Sequence, residues 1–560
     1  MKRFRTISGV PALILMIVIL LPAAGMIGNM FLDNGNLNFS PLSKALVSIR
    51  QAGLLKNTVI IALATCLICI TGAITLNLFI FRTAPKGGKV LANAMILPIL
   101  IPPFVHALAW EEGFRLLSEF CAHRLEFQMP DIHSIWGVVL VLTISYFPIA
   151  FLILRTGLTS MDRTLEEAAL QSSSQWKTIK SISIPLLMPN ICAATTFIMA
   201  MTLLNFEVAD ILRVRIYPME IFIQFSAFYD ERGAIALAIP IVLICLAGII
   251  AMHRYMGNRS YTSLGGHAST REPCFRISKC MTLSGWLVSF AYLIPALLYP
   301  VTLIFLSSGG LNAITETFAM ACNDILYSLL IAMASTLLIT GASIPIARFI
   351  TRGGGILPLI MDYATLIPLG LPGIIIGIGA IRIFNRPCLD WFYGTWALLA
   401  LSLTSAGFPI VMRITVAQMR TIPCEYEETA MLARPERFCT FRRILLPLMM
   451  PAIWVSLAAG FILSLTNLST SLLTAPPGKS MLPVTIYNLM HYGVREKVFS
   501  LCAIMISISG IIALITWFAM GRSIRAASSS HHNILPAGNP SGIDTSKNDS
   551  AENKFSGDIQ

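Results

Sequence analysis

The chain has 560 residues, of which 56% are hydrophobic and only 12% charged, and its mean hydropathy is +0.74. Soluble domains carry about 25% charged residues, so a soluble globular domain is excluded. The net charge of +12 comes without aromatic-interleaved basic patches, which argues against nucleic acid and for a basic flank beside anionic headgroups of a lipid bilayer.

Apolar runs of about 20 residues, long enough to span a bilayer at helical rise, recur along the chain. In lipid every backbone polar group must be satisfied internally, so such runs are helices. The weak alternation of a membrane barrel is absent. Twelve spans are expected, at roughly 9–29, 57–81, 91–110, 135–154, 190–212 and 233–252, then 283–306, 326–350, 357–381, 394–414, 451–474 and 499–519. The first run follows Lys2, Arg3 and Arg5 and is read as a retained span rather than a signal peptide. The run is long, and the second half starts with an equivalent span after its own basic stretch. That stretch is a linker over 253–282 holding Arg254, Arg259, Arg271, Arg276 and Lys279. A tail over 520–560, rich in Ser, Asn and Gly, is expected to be disordered. With both termini on one side, that side holds 27 of the 40 Lys and Arg and the other 13, so the positive-inside bias puts both termini in the cytoplasm.

A short motif occurs twice. Glu166, Ala168, Thr178, Ile182, Pro185, Leu186, Met188 and Pro189 superpose on Glu428, Ala430, Thr440, Ile444, Pro447, Leu448, Met450 and Pro451 at one offset of 262. Around it, Arg82, Pro98 and Pro102 match Arg352, Pro368 and Pro372 at 270, Phe147-Pro148-Ile149 matches Phe408-Pro409-Ile410 at 261, and Asn205 matches Asn467 at 262. Drifting offsets are what loop insertions leave in a duplicated chain. Such duplication is common in transporters, which handle substrate near the repeat interface. Each copy has room for a short helix, a turn and a second short helix. Leu165, Ala168, Ala169 and Leu170 give it a small apolar face that lets a partner backbone approach. A carboxylate in the first turn suits the positive end of the helix dipole. Duplication implies a two-fold partner docking on both copies.

Other signals are weaker. Cys66 and Cys69 share a helix face and read as small apolar fillers rather than a metal or redox pair; no zinc-site spacing occurs. Gly478-Lys479-Ser480 imitates the end of a phosphate-binding loop, but Leu473 stands where that loop needs its first Gly. No nucleotide site, nucleophile–base pair or metal cluster is evident, so no catalytic residue, metal ligand or cofactor is assigned. Polar side chains in the fifth and eleventh spans, Asn205, Glu207, Asn467, Ser469 and Thr470 with Asp210, are pathway candidates because polar groups within spans are costly. The competing reading places Glu207 and Asp210 at headgroup level beside Arg213 and Arg215.

The duplicated motif resembles the EAA loop of permease subunits of binding-protein-dependent ABC importers. The whole of 9–519 is similar to the fused two-permease chains of the ferric-iron importer family, with further local likeness at Ala475-Pro476-Pro477-Gly478 and from Ile486 to Gly493. The resemblance implies an all-α membrane protein of twelve transmembrane helices, as two tandem six-helix type I importer repeats. These are 1–252 with its loop at 156–189 and 283–519 with its loop at 415–450, joined by the linker. It implies a bacterial inner-membrane transport subunit that does not itself hydrolyse ATP. An ATP-binding cassette ATPase homodimer would dock on Glu166, Glu167, Ala168, Ala169 and Ser172 and on Glu428, Thr429, Ala430 and Arg434. A periplasmic solute-binding protein would deliver the cargo. Ser172 and Arg434 stand where the family usually has Gly, and Thr429 replaces the first Ala of the second loop, so equal coupling by the two loops is in question. Thiamine, phosphonate and polyamine remain alternative cargoes. A secondary transporter would need carboxylates buried at mid-membrane, whereas Glu207, Asp210, Asp324 and Asp362 all fall near span ends.

Overall fold

A computed structural model describes residues 9–24, 32–33, 36–37, 48–124, 126, 131–257, 275, 278–433 and 441–532. Among them the regular structure is all helical, apart from a two-residue antiparallel ladder of Leu32–Asp33 with Asn36–Leu37. The first half runs α1 (Gly9–Ala24), α2 (Ile49–Arg82), α3 (Gly88–Ala94), α4 (Pro103–Arg124), α5 (Ile135–Ser160), α6 (Arg163–Leu170), α7 (Gln175–Leu204), α8 (Glu207–Ile211), α9 (Tyr217–Ser226) and α10 (Glu231–Gly257). The same succession returns as α11 (Lys279–Ser307), α12 (Gly310–Arg352), α13 (Ile356–Ala364), α14 (Gly373–Phe384), α15 (Trp396–Thr421), α16 (Cys424–Ala433), α17 (Phe441–Leu465), α18 (Leu468–Thr474), α19 (Leu482–Tyr492) and α20 (Arg495–His532).

Nine of the described helices are long and apolar enough to cross a membrane, or up to eleven if each of two bent pairs is one span. α1, with 16 residues, is shorter. The bent pairs lie at the third and ninth expected spans. Gly88–Leu100 meets α4 at 91° and Ile356–Gly370 meets α14 at 107°. A proline ring crowds the preceding residue out of the helical region. Accordingly, Ile101 before Pro102 and Leu371 before Pro372 are both extended.

The fifth and eleventh spans also differ from expectation. α7 and α17 start well before residues 190 and 451 and each contains one π-turn, Ile179–Ser183 and Phe441–Leu445. Pro185 and Pro447 follow two residues later. A ring that cannot donate to the preceding turn is accommodated by widening it. Both helices then stop short, and a separate short helix follows. At the C-terminal end, residues 520–532, expected to be disordered, continue α20. The indole Nε1 of Trp454 donates to Ser523 Oγ at 3.1 Å, so α20 is tied to α17 past the end of its apolar run.

The two halves are interlocked. α1 packs on α12, α14 and α15 of the other half, burying Ala12, Met16 and Ile19 with Ile339 and Phe408. α11 returns the exchange on α2, α4 and α5. There the Tyr292 ring lies 4.1 Å from that of Phe147, and Tyr292 Oη donates to the Ile144 carbonyl at 3.2 Å. Trp110 of α4 meets Tyr299 of α11 at 4.7 Å between ring centroids. Gly113, one turn on, leaves no room for a Cβ between itself and Tyr299. Gly113→Val should therefore force α4 and α11 apart at an overpacking cost of about 1–3 kcal/mol, read as a lower unfolding temperature of the detergent-solubilised chain.

Candidate functional site

α6 and α16 stand at one end of the bundle, and each is pinned by a buried carboxylate. Asp162 caps α6 by accepting from Thr164 N at 3.0 Å, which sets the helix so that Glu166 points inward. Glu166 Oε2 lies 2.7 Å from Arg82 Nε, both side chains at most 1% exposed, and Ser183 Oγ donates to its other oxygen at 2.6 Å. Arg82 also donates to the Leu158 carbonyl at 3.0 Å. In the second half Arg352 Nε donates to Glu427 Oε1 at 3.2 Å and Arg352 Nη2 to the Met419 carbonyl at 3.4 Å. Arg348 supplies the second donor, at 2.8 Å. Leu158 and Met419 stand 261 apart, as do Glu166 and Glu427.

The expected equivalence of Glu166 with Glu428 is therefore one residue off. The offset is 261 through α5 and α6 and becomes 262 in α7. The extra residue of the second half falls between α16 and α17, where 434–440, including Arg434, lie outside the described residues. Glu166 is buried against Arg82 and Ser183, and its counterpart Glu427 against Arg348 and Arg352, whereas Glu428 and Thr429 are exposed. Ala168 is exposed, Glu167 and Ala169 half-buried, and Ala430 lies in α16. Ser172 is exposed in the turn after α6, and Ser174 caps the next helix by accepting from Lys177 N at 3.4 Å. Leu165 is 50%, Trp176 74% and Tyr426 47% exposed. An apolar strip thus flanks the small Ala168 on the first short helix, and Tyr426 holds Leu165's place on the second.

The pathway candidates gather where the short helices α8 and α18 meet. Asn205 and Asn467 occupy the breaks after α7 and α17. Each is extended and caps the following short helix, Asn205 Oδ1 accepting from Val208 N at 3.1 Å and Asn467 Oδ1 from Thr470 N at 2.9 Å. Both amides therefore satisfy backbone groups, and Asn205 Nδ2 also reaches Tyr146 Oη at 3.3 Å. Glu207 bonds to the other half rather than to Arg213 or Arg215. It is buried, and its Oε1 accepts from Ser469 N at 3.2 Å and Ser469 Oγ at 2.7 Å. Thr470 Oγ1 donates to the Gly373 carbonyl at 3.3 Å. Asp210 accepts from Tyr487 Oη at 2.6 Å, Asp324 from Thr485 Oγ1 at 2.9 Å, and Asp362 pairs with Arg413 at 2.5 Å. Each of these acids thus has a fixed protein partner.

At the end opposite α6 and α16 opens a cleft of about 1200 Å³, lined by Arg50, Glu111, Arg115, Asp131, Arg213 and Arg495 among others. Arg495 of α20 reaches Glu112 of α4 across the halves at 3.2 Å. Lys479, in the segment that imitates a phosphate loop, sits over the Tyr327 ring at 5.4 Å. The Cys66 and Cys69 thiols point at the Thr195 and Thr143 carbonyls, at 3.7 and 3.5 Å. Among the described residues no group of three or more His, Cys, Asp or Glu is placed to hold a metal ion. The residues that sequence reasoning missed are Glu427, Arg348, Ser183, Tyr146 and Tyr487. Only Glu427 left a signal, in the disagreement between the two offsets.

Residues 339–525 match the family described as binding-protein-dependent transport system inner membrane component. The chain is 21% identical over 493 residues to a putative ferric transport system permease protein, FbpB 1, of Haemophilus influenzae, covering 82% of this chain and 76% of that one. It is 23% identical over 457 residues to an Fe(3+)-transport system permease protein, FbpB 2, of the same organism, covering 78% and 84%. A putrescine transport system permease protein, PotI, of Escherichia coli is 26% identical over 198 residues, covering 34% and 68%. With a fold built from membrane-length helices, the chain is thus similar, along most of its length, to permeases of binding-protein-dependent ABC importers.

Proposed function

We propose that the chain is the translocation subunit of an ATP-driven importer of ferric iron. A separate pair of ATP-binding subunits docks on α6 and α16, and a periplasmic binding protein delivers cargo at the opposite end. The observation that carries this reading is the pair of short helices at one end of the bundle, each held by an Arg–Glu pair and each presenting an exposed face. A helix that passes on the stroke of a partner must be joined stiffly to the spans, and α2 and α12 are joined to α6 and α16 through Arg82 and Arg352. The docking residues are then Leu165, Ala168, Trp176, Tyr426, Glu428 and Thr429, with Glu166 and Glu427 as internal struts. On this reading 1–252 and 283–519 are the two permease repeats, α1 completes twelve spans, and both termini face the cytoplasm, where the docking helices lie. Ferric iron is favoured over a polyamine because the ferric relatives match across both halves and the putrescine relative across about a third of the chain.

Struts and docking residues separate experimentally. Glu166→Ala strands the Arg82 guanidinium in the interior and should cost about 3–5 kcal/mol, read as loss of folded chain from the membrane. Glu428→Ala removes an exposed group and should change stability by no more than about 0.5 kcal/mol. Leu165→Asp with Ala168→Arg should leave the amount of folded chain unchanged and abolish copurification of the ATPase; retention of the ATPase by that variant overturns the docking assignment. For the cargo, cells lacking the chain should lose accumulation of radioactive ferric iron and keep that of putrescine, and the opposite pattern sinks the iron reading.

A further inference from the structure

Glu207 and Ser469 stand 262 residues apart, the same separation that relates α7 to α17. Each residue is thus touching its own equivalent. Two equivalent points in a two-fold arrangement lie on opposite sides of the axis at equal distance from it. A 2.7 Å contact between these two side chains therefore puts a pseudo-two-fold axis that relates the halves between the two residues. Any path shared equally by the two halves follows that axis, so this contact stands across it. The chemistry at the two equivalent positions is unequal: one half contributes a carboxylate, the other a hydroxyl and a backbone N–H. Both donors go to one carboxylate oxygen, and charge-assisted bonds of this kind are the stronger ones. Gly373 beneath Ser469 leaves no room for a Cβ, which holds α18 against α14. On either side, Asn205 bonds to Tyr146 and Asp210 to Tyr487, so the segment bearing Glu207 is fixed at both ends.

We propose that the Glu207–Ser469 contact is the seal of the translocation path, and that the carboxylate freed when the halves part makes the open path selective for a cationic cargo. Parting removes both donors from Glu207 at once. A buried carboxylate without donors is costly, and a cation entering the path replaces them, whereas an anionic or neutral solute does not. The same side chain thus closes the path when bonded across the axis and admits cations when it is not. The cation half of the proposal rests on the ferric-iron reading; the seal does not.

The test uses the full chain in cell membranes, freed of its native Cys, with a protease site introduced into 258–274. Glu207→Cys with Ser469→Cys should form an intrachain disulfide under mild oxidant, seen as halves that stay joined after cleavage. That disulfide should block uptake of whatever cargo the system carries, and reductant should restore it. Failure of the pair to cross-link overturns the axial placement, and undiminished uptake by the cross-linked chain overturns the seal. Glu207→Gln keeps an acceptor for Ser469 but loses the charge. At wild-type membrane abundance it should lower radioactive ferric iron uptake about tenfold, the difference between a charged and a neutral hydrogen-bonding partner. Uptake equal to wild type overturns the selectivity role. Should the cargo not be ferric iron, wild-type cells take up none, and that result is distinct from every outcome above.

Discussion

Every break in a membrane helix frees backbone groups that lipid cannot satisfy, and the rest of this structure follows from how those groups are placed. The breaks lie at Ile101–Pro102 and Leu371–Pro372, at Asn205 and Asn467, and at the widened turns before Pro185 and Pro447. Proline removes a donor that would otherwise be orphaned. Asparagine supplies an acceptor where a new helix must start. Both kinds of break turn up at matching places in the two halves, so the duplicated element is less a set of spans than a set of interruptions. Those at Asn205 and Asn467 bring polar side chains together at a contact between the halves.

Interlocking of the first helices gives those polar groups a dry setting. α1 and α11 each lean on the opposite half, so the central contact is enclosed by apolar clusters that both halves build. The result joins two ends of different make. One end bears short helices on salt-bridged struts. The other opens as a cleft whose charged lining draws on both halves, with Arg495 reaching Glu112 over their boundary.

Much of this was legible in the residues. Composition specified membrane helices, and the repeat located α6 and α16 and matched Asn205 with Asn467. Proline spacing marked the bends at 102 and 372 but did not reveal them as bends, because hydropathy averages over a break and sees one apolar run. The slip between Glu427 and Glu428 had a similar cause: a single inserted residue beyond α16 leaves the prolines of α17 in register at 262 and shifts the carboxylate by one. The duplicated motif and its resemblance to an EAA loop assigned Glu166 to a partner surface. Its burial depends on Arg82, 84 positions earlier, which no local pattern can pair with it. The meeting of Glu207 with Ser469 was equally hidden, since an offset between two residues says that they are equivalent and not that they touch.

The two struts are built from unlike materials. Glu166 is held by Arg82 and a serine in a site closed to water, beyond the reach of mobile ions. Glu427 is held by two arginines that are 28% and 19% exposed, and salt weakens pairs that water can reach. A linkage between the spans and α16 therefore softens as ionic strength rises, while the one to α6 stays stiff. Carrying both halves in one chain is what allows such a difference to persist. A homodimer must use the same joint twice, whereas a single chain can keep one joint rigid and leave the other compliant.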